Sequence, residues 1–123
     1  MSTKYSTPKQ IYDAVVKGLR EQGDFGADED GMCVYCSPKG LKCAAGQIIP
    51  PELYDQSFEN TNFDALPMSL MLQLFDDSEG YPVKRLVNFT RQLQLVHDES
   101  VAQRESLNWC IDQMGYVLEQ WSR

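Results

Sequence analysis

The sequence predicts a mainly α-helical domain of about five helices, with a C-terminal helical hairpin and a short β-strand or hairpin after the first helix. Apolar residues recur at helical spacing near both ends of the chain. Helix-capping residues stand before several of these stretches, and a short run of β-forming residues interrupts them. We find no repeat and no linker in the 123 residues, so we expect one domain spanning 1–123.

The first helix has clear signals at both ends. Thr7 is an N-cap residue, Pro8 suits the first helical position, and Gln10 completes a capping box. Apolar residues follow at a spacing of four. We expect the helix to end near Glu21–Gln22, with Gly23 as its C-cap.

A segment rich in cysteine and glycine follows an acidic, turn-rich loop at residues 24–31. Residues 32–36 favour a strand or one arm of a hairpin, and residues 37–40 a turn. The spacing of Leu41, Ala44, Ala45 and Ile48 favours a short helix, with a second hairpin arm as the alternative, and residues 51–54 predict one more helical turn. Residues 55–64 lack any period and read as a surface loop.

The second half of the chain predicts three helices. The first spans residues 65–77 with Asp64 as its cap, and the second ends at residues 97–99. Ser100 and Gln103 form a capping box for the last helix. That helix carries one apolar face and should pair antiparallel with its predecessor; its face comprises Leu107, Cys110, Ile111, Met114, Leu118 and Trp121.

The charge of the chain is unevenly distributed. The formal net charge is −7, but residues 21–83 hold twelve acidic and two basic residues, so the two ends together carry +3. No basic stripe could displace counterions from phosphates, so direct nucleic-acid binding is not expected. An acidic face can instead meet a basic surface on a protein. The candidate partner-binding residues are Asp24, Asp28, Glu29, Asp30, Glu52, Asp55 and Glu59.

The sequence has no apolar run long enough for a signal peptide or a membrane span. We therefore expect a cytoplasmic protein without membrane contact, in which cysteines are thiols rather than disulfides. A homo-oligomer is a further option that the composition leaves open.

Three of the four cysteines lie in residues 33–46, here called the cysteine corner. Cys33, Cys36 and Cys43, with His97 or Cys110 as a fourth ligand, form a candidate zinc site. In an extended segment, however, Cys33 and Cys36 would point to opposite faces. A dithiol redox site or a cysteine nucleophile activated by His97 needs a lowered thiol pKa, which the acidic surroundings oppose. We therefore expect no cofactor and a mainly packed corner, with zinc as the alternative.

The cysteine corner also carries a sequence resemblance. Cys33-x-Tyr35, followed by Gly40-Leu41-Lys42-Cys43-Ala44-Ala45-Gly46, resembles a family of small, functionally uncharacterised phage and prophage proteins. The likeness covers residues 8–54 well and the rest loosely. It implies a phage-type origin and no specific activity. An arginine is usual in that pattern where this chain has Cys36, which argues against a shared metal site at Cys36.

Together these features predict a small acidic phage-type protein that is not an enzyme. We expect it to bind and modulate or inhibit a protein of the host cell, with anti-defence as one such role. The alternatives are a structural zinc domain and a cysteine-dependent enzyme. Catalytic residues are not assigned.

Overall fold

The computed structural model describes residues 4–27 and 32–122. Within these residues the fold consists of four α-helices, which are α1 (Pro8–Gln22), α2 (Met68–Leu74), α3 (Val83–Ala102) and α4 (Leu107–Trp121). The mainly helical class is therefore confirmed, although the predicted count of about five helices is slightly high. None of the helices in this part of the chain is long and apolar enough to cross a membrane.

Helix α1 begins and ends where the sequence predicts. The Thr7 side chain accepts a hydrogen bond from the Gln10 N–H, and Gly23 ends the helix in the left-handed conformation at φ 74°. The Gln10 side chain accepts from the Ser6 N–H at 2.7 Å, one residue before the position that a strict capping box would use. Local hydrogen bonds thus determine both boundaries of α1.

Between α1 and α2, the described residues 23–27 and 32–67 form irregular backbone with four short 3₁₀ helices rather than longer ones. These are Ala45–Ile48, Pro51–Leu53, Gln56–Phe58 and Phe63–Ala65. The expected helical turn at residues 51–54 is therefore present, whereas the helix expected from Leu41 is limited to its second half. The predicted surface loop at residues 55–64 was wrong in part, because Phe58 and Phe63 are buried.

The predicted strand or hairpin at residues 32–36 does not form. Within the described residues, this segment has one isolated bridge, between Ala27 and Cys33. The physical reason lies in its donors: the Tyr35 and Cys36 N–H groups bond to the Glu59 carboxylate at 3.0 and 3.2 Å instead of to a neighbouring strand. The Glu59 side chain, 24 residues after Tyr35, therefore takes the place of the hydrogen bonds that a neighbouring β-strand would make.

Helix α2 is shorter than predicted and begins after Pro67 rather than at Ala65. Asp64 does not cap it but lies in a 3₁₀ turn, where it pairs with Arg91 of α3 at 2.7 Å. Pro67 is the N-cap residue of α2, and its ring disfavours helical conformation in Leu66, so the helix cannot begin earlier.

Helices α3 and α4 form the predicted hairpin, but α3 runs past residues 97–99 to Ala102. The capping box predicted at Ser100 was wrong, since the buried Ser100 hydroxyl donates to the Val96 carbonyl inside α3. Ser106 caps α4 instead, by accepting a hydrogen bond from the Trp109 N–H. His97 is consequently an interior residue of α3, not a helix-end residue as predicted.

The core lies between α1, the 3₁₀ segment after Cys43, and the α3–α4 hairpin. The predicted apolar face of α4 contributes Cys110, Ile111 and Met114, which are buried. Gly46 allows the cysteine corner to pack tightly, because a Cβ there would lie 2.1 Å from the Tyr35 carbonyl oxygen. The expected packing of this corner is therefore confirmed for Cys43, Ala44 and Ala45, which are at most 1% exposed.

Hydrogen bonds join the segment before α1 to the end of α2. The Tyr5 N–H donates to the Leu74 carbonyl at 2.8 Å, and the Asp76 N–H donates to the Tyr5 carbonyl at 3.1 Å. The Asp76 carboxylate accepts from the hydroxyls of Ser6 and Ser78 at 2.7 and 2.6 Å. These hydrogen bonds, from Ser6 first and then Ser78, lower the pKa of Asp76 to about 2.

We predict that Asp76→Asn lowers the free energy of unfolding at neutral pH. Because the folded-state pKa lies below the unfolded value, the Asp76 carboxylate stabilises the fold above about pH 4, and this contribution is lost as the pH falls through about 2. Urea unfolding between pH 2 and 7 should show the variant's deficit shrinking toward pH 2. Asp77→Asn, at the exposed neighbour, is the control, and a deficit independent of pH would contradict the prediction.

Candidate binding groove

A half-open groove of about 380 Å³ runs along α3 and is here called the α3 groove. One wall is the face of α3 from Arg91 to Ala102, and the others are residues 32–35 and 59–63. The groove therefore brings together three segments that are far apart in sequence. Each segment contributes a polar or ionisable side chain to it.

Cys33, His97 and Asp98 form a cluster at the groove. One potential ligand atom from each of the three residues lies within 4.8 Å of the others. His97 is fully buried, whereas Cys33 and Asp98 are half-buried and line the groove. Of the groups that sequence considered as ligands, the structure joins Cys33 and His97 and adds Asp98, which was not predicted.

The His97 ring is held on both sides. Its Nε2 accepts a hydrogen bond from the buried Gly26 N–H at 3.0 Å, and its Nδ1 lies 3.1 Å from the Asp98 Oδ1. The Phe25 ring packs edge-on against it, with centroids 5.3 Å apart. Because Nε2 acts as an acceptor, the neutral ring carries its proton on Nδ1 and donates it to Asp98.

The Asp98 carboxylate is held by a second side chain. The Gln94 amide donates to the Asp98 Oδ1 at 2.6 Å, and the Gln94 carbonyl oxygen accepts from the Ala45 N–H at 2.8 Å. Gln94 thus links the cysteine corner to the groove carboxylate. With His97 and Gln94 both bonded to Oδ1, the orientation of Asp98 is set by the protein itself.

Glu59, a predicted partner-binding residue, contributes a second carboxylate to the groove. Besides the Tyr35 and Cys36 N–H groups, it accepts a hydrogen bond from the Tyr54 hydroxyl at 2.6 Å. Burial and then this hydrogen bond raise the pKa of Tyr54 above its usual value. All three of these donors are neutral groups rather than cations.

The other cysteines do not belong to this cluster, although Cys43 also lines the α3 groove. Cys36 lines a separate cavity of about 130 Å³ with Lys42 and Tyr54. Cys43 is buried and its Sγ accepts from the Gly46 N–H at 3.4 Å, and burial raises the pKa of its thiol. Burial likewise raises the pKa of the Cys110 thiol. Among the described residues, the structure does not group Cys33, Cys36 and Cys43 around one point.

The remaining candidate partner-binding residues lie on the surface or outside the described part of the chain. Asp24, Glu52 and Asp55 are exposed, and Asp55 caps a 3₁₀ turn through the Ser57 N–H. The three acidic residues 28–30 fall outside the described residues. Of the predicted set, Glu59 is thus the residue that the structure places in the groove.

The Cys33–His97–Asp98 cluster fits a metal ion poorly. A metal on Nδ1 would displace its proton, and the neutral ring would then carry a proton on Nε2, facing the Gly26 N–H. Gly26 has little room to move away, since a Cβ there would lie 2.0 Å from the Cys43 nitrogen. Two donors facing each other in a buried site are costly, so the hydrogen-bonded ring opposes metal binding.

The same bond weakens the case for a cysteine nucleophile. A histidine base needs a free lone pair to take the thiol proton, but Nε2 is engaged by Gly26 and Nδ1 carries the shared proton. The nearby Asp98 charge also disfavours a thiolate. The arrangement is therefore suited to presenting a fixed carboxylate rather than to activating Cys33.

Asp98 and Gln94 are the groove residues that sequence reasoning missed. Their spacing of four places them on one helical face, which was a usable signal once α3 was known to continue past His97. Because the helix was predicted to end at residues 97–99, Asp98 was not expected to share a helical face with Gln94.

Comparison with protein-family models, with curated proteins and with solved structures finds no match to the chain. The chemistry of this protein is therefore inferred from the residues of the α3 groove.

We predict that His97→Ala lowers the free energy of unfolding by about 2–3 kcal/mol, because it leaves the buried Gly26 N–H without its acceptor. His97→Gln, whose amide oxygen can reach the same position, should lose less. Urea unfolding measures both. Equal losses in the two variants would contradict the role given to the Gly26 hydrogen bond.

We also predict that the protein, purified without chelator, contains well below one equivalent of zinc. Elemental analysis measures this, and added Zn²⁺ should leave the urea midpoint unchanged. Stoichiometric zinc that is lost in Cys33→Ser but kept in Cys36→Ser would contradict the hydrogen-bond argument.

Proposed function

We propose that this chain is a non-enzymatic binding protein that engages a basic surface of another protein. The observation that carries the proposal is the acidic charge that the fold leaves without internal cations. Among the described residues of segment 21–83, the carboxylates in ion pairs are those of Glu21 and Asp64. Exposed carboxylates without such a pair in the described chain include those of Asp24, Glu52, Asp55, Asp77 and Glu79.

This charge favours binding over a purely solvating role because it is polarised. Nine of the eleven basic residues lie outside residues 21–83, so one part of the sequence is strongly acidic and the rest is not. A polarised acidic surface accelerates encounter with a basic partner and excludes acidic ones. The α3 groove adds a concave feature that is lined by two further carboxylates, Glu59 and Asp98.

The sequence resemblance to phage proteins suggests where this protein acts. In an infected cell, a small acidic protein of this kind would occupy a host protein with a basic surface and inhibit or modulate it, and defence or nucleic-acid-processing proteins have such surfaces. Direct contact with nucleic acid is not part of the proposal, since the acidic surface would repel phosphates.

A structural zinc domain is the alternative that one observation favours, namely the grouping of Cys33, His97 and Asp98. The zinc analysis described above tests it. A cysteine-dependent enzyme would need an activated thiol, which the burial of Cys43 and Cys110 and the charge near Cys33 disfavour.

We predict that reversing Asp28, Glu29 and Asp30 to lysine abolishes co-purification of a partner from a bacterial lysate at low ionic strength. Reversing Glu99, Glu105 and Asp112 is the matched control, because it changes the net charge equally but alters α3, α4 and the link between them. The control should retain the partner, and salt should release it, since exposed charges are screened. Recovery of no partner, or equal binding by both triple variants, would contradict the proposal.

A further inference from the structure

Asp98 is a carboxylate whose orientation is fixed before any ligand arrives. The fully buried His97 and the half-buried Gln94 both donate to its Oδ1, and Gln94 is itself anchored to the Ala45 N–H. Its side chain nevertheless stays 42% exposed at the groove. An ion pair with a mobile surface carboxylate loses side-chain entropy, but a carboxylate already held in place loses little.

The groove is also unbalanced in charge. Glu59 and Asp98 line it with two negative charges, and the single cation that lines it, Arg91, is held by Asp64 at 2.7 Å. A positive group of a ligand would therefore meet carboxylates without a competing free cation among the described residues. In a half-enclosed groove such attraction is stronger than on an open surface.

The rim of the groove is apolar. Leu95 is 45% exposed and Met32 is 60% exposed, and Val101 and Ala102 extend the same side. A long side chain with a hydrocarbon stem and a charged head matches this arrangement, because the stem packs on apolar surface while the head reaches a carboxylate. Arginine suits it best, since its planar fork binds carboxylates through paired hydrogen bonds.

We infer that the α3 groove is a subsite for one arginine or lysine side chain of a protein partner, with Asp98 and Glu59 binding the cationic head and Leu95 and Met32 packing on its stem. This inference rests on the proposed function and specifies which site binds a positive charge of the partner. It differs from the general acidic surface because it assigns the recognition to one concave site beside Cys33.

Cys33 provides a reporter inside the groove. In a Cys36→Ser background, Cys33 is the one cysteine that is not buried. Its thiolate attacks the sulfenyl sulfur of a methanethiosulfonate reagent, forms a mixed disulfide and releases methanesulfinate. The ratio of rates for the 2-aminoethyl and 2-sulfonatoethyl reagents reads the local potential, because the fraction of thiolate cancels in the ratio.

This ratio at Cys33 should exceed that of N-acetylcysteine amide by at least about fivefold at low ionic strength, the factor that one carboxylate about 4 Å away gives for a cation in water. Asp98→Asn should lower the ratio by a similar factor, whereas Asp112→Asn, on α4, should not. High salt should also lower the ratio when Asp98 is unchanged. A ratio equal to the model thiol's, unchanged by Asp98→Asn and by salt, overturns the inference.

A second measurement tests the occupant itself. N-acetylarginine amide should slow the reaction of Cys33 with neutral methyl methanethiosulfonate, and N-acetylcitrulline amide, which has nearly the same shape without the charge, should not. Equal protection by the two compounds, or none by either at concentrations up to tens of millimolar, overturns the assignment of a cationic side chain.

The outcomes separate this inference from the proposed function, since neither reagent assay needs a partner. Salt-sensitive partner binding without charge selectivity at Cys33 refutes the groove subsite alone. Charge selectivity at Cys33 with no recoverable partner refutes the proposed function and leaves the groove's preference for cations in place.

Discussion

The hydrogen bond from the Gly26 N–H to the His97 Nε2 joins the irregular segment after α1 to helix α3. It is buried, and it joins residues 71 positions apart. It fixes the tautomer of the imidazole and thereby makes His97 a donor to Asp98. The donation from His97 to Asp98 and the poor fit of the cluster to metal both depend on this contact.

Glu59 has a comparable part on the other side of the groove. Its carboxylate satisfies two consecutive backbone N–H groups that would otherwise need a strand partner, and it also binds the Tyr54 hydroxyl. A buried or half-buried backbone donor must find an acceptor, and here an acidic side chain supplies it. The same residue can therefore organise the cysteine corner and present its charge to the groove.

The sequence correctly predicted the helix ends that are determined by interactions between residues close together in the chain. The ends of α1 followed from Thr7, Pro8 and Gly23, because each acts within one turn of the helix. The end of α3 did not, since Ser100 offered a capping pattern but is buried and bonds within its own helix. Tertiary burial overrode a local signal there. The missing strand at residues 32–36 has the same kind of cause, because its acceptor, Glu59, lies far along the chain.

The candidate site was predictable only in its parts. Cys33, Glu59 and His97 could each be named from residue type, but the sequence associated them with a zinc set and an acidic surface rather than with one groove. Asp98 was hidden by the misplaced helix end. The juxtaposition depends on the packing of residues 32–35 and 59–63 on α3, which no periodicity or spacing encodes.

The long sequence separation across the groove has a consequence for folding. The α3–α4 hairpin forms contacts between neighbours in sequence, whereas the contact of Gly26 with His97 must close a loop of 71 residues. Contacts of that separation are slow to form because closing the loop costs chain entropy before any stabilising contact is made. We therefore expect the groove to be among the last features to assemble, and the Gly26 amide to exchange its hydrogen with solvent only when its segment separates from α3.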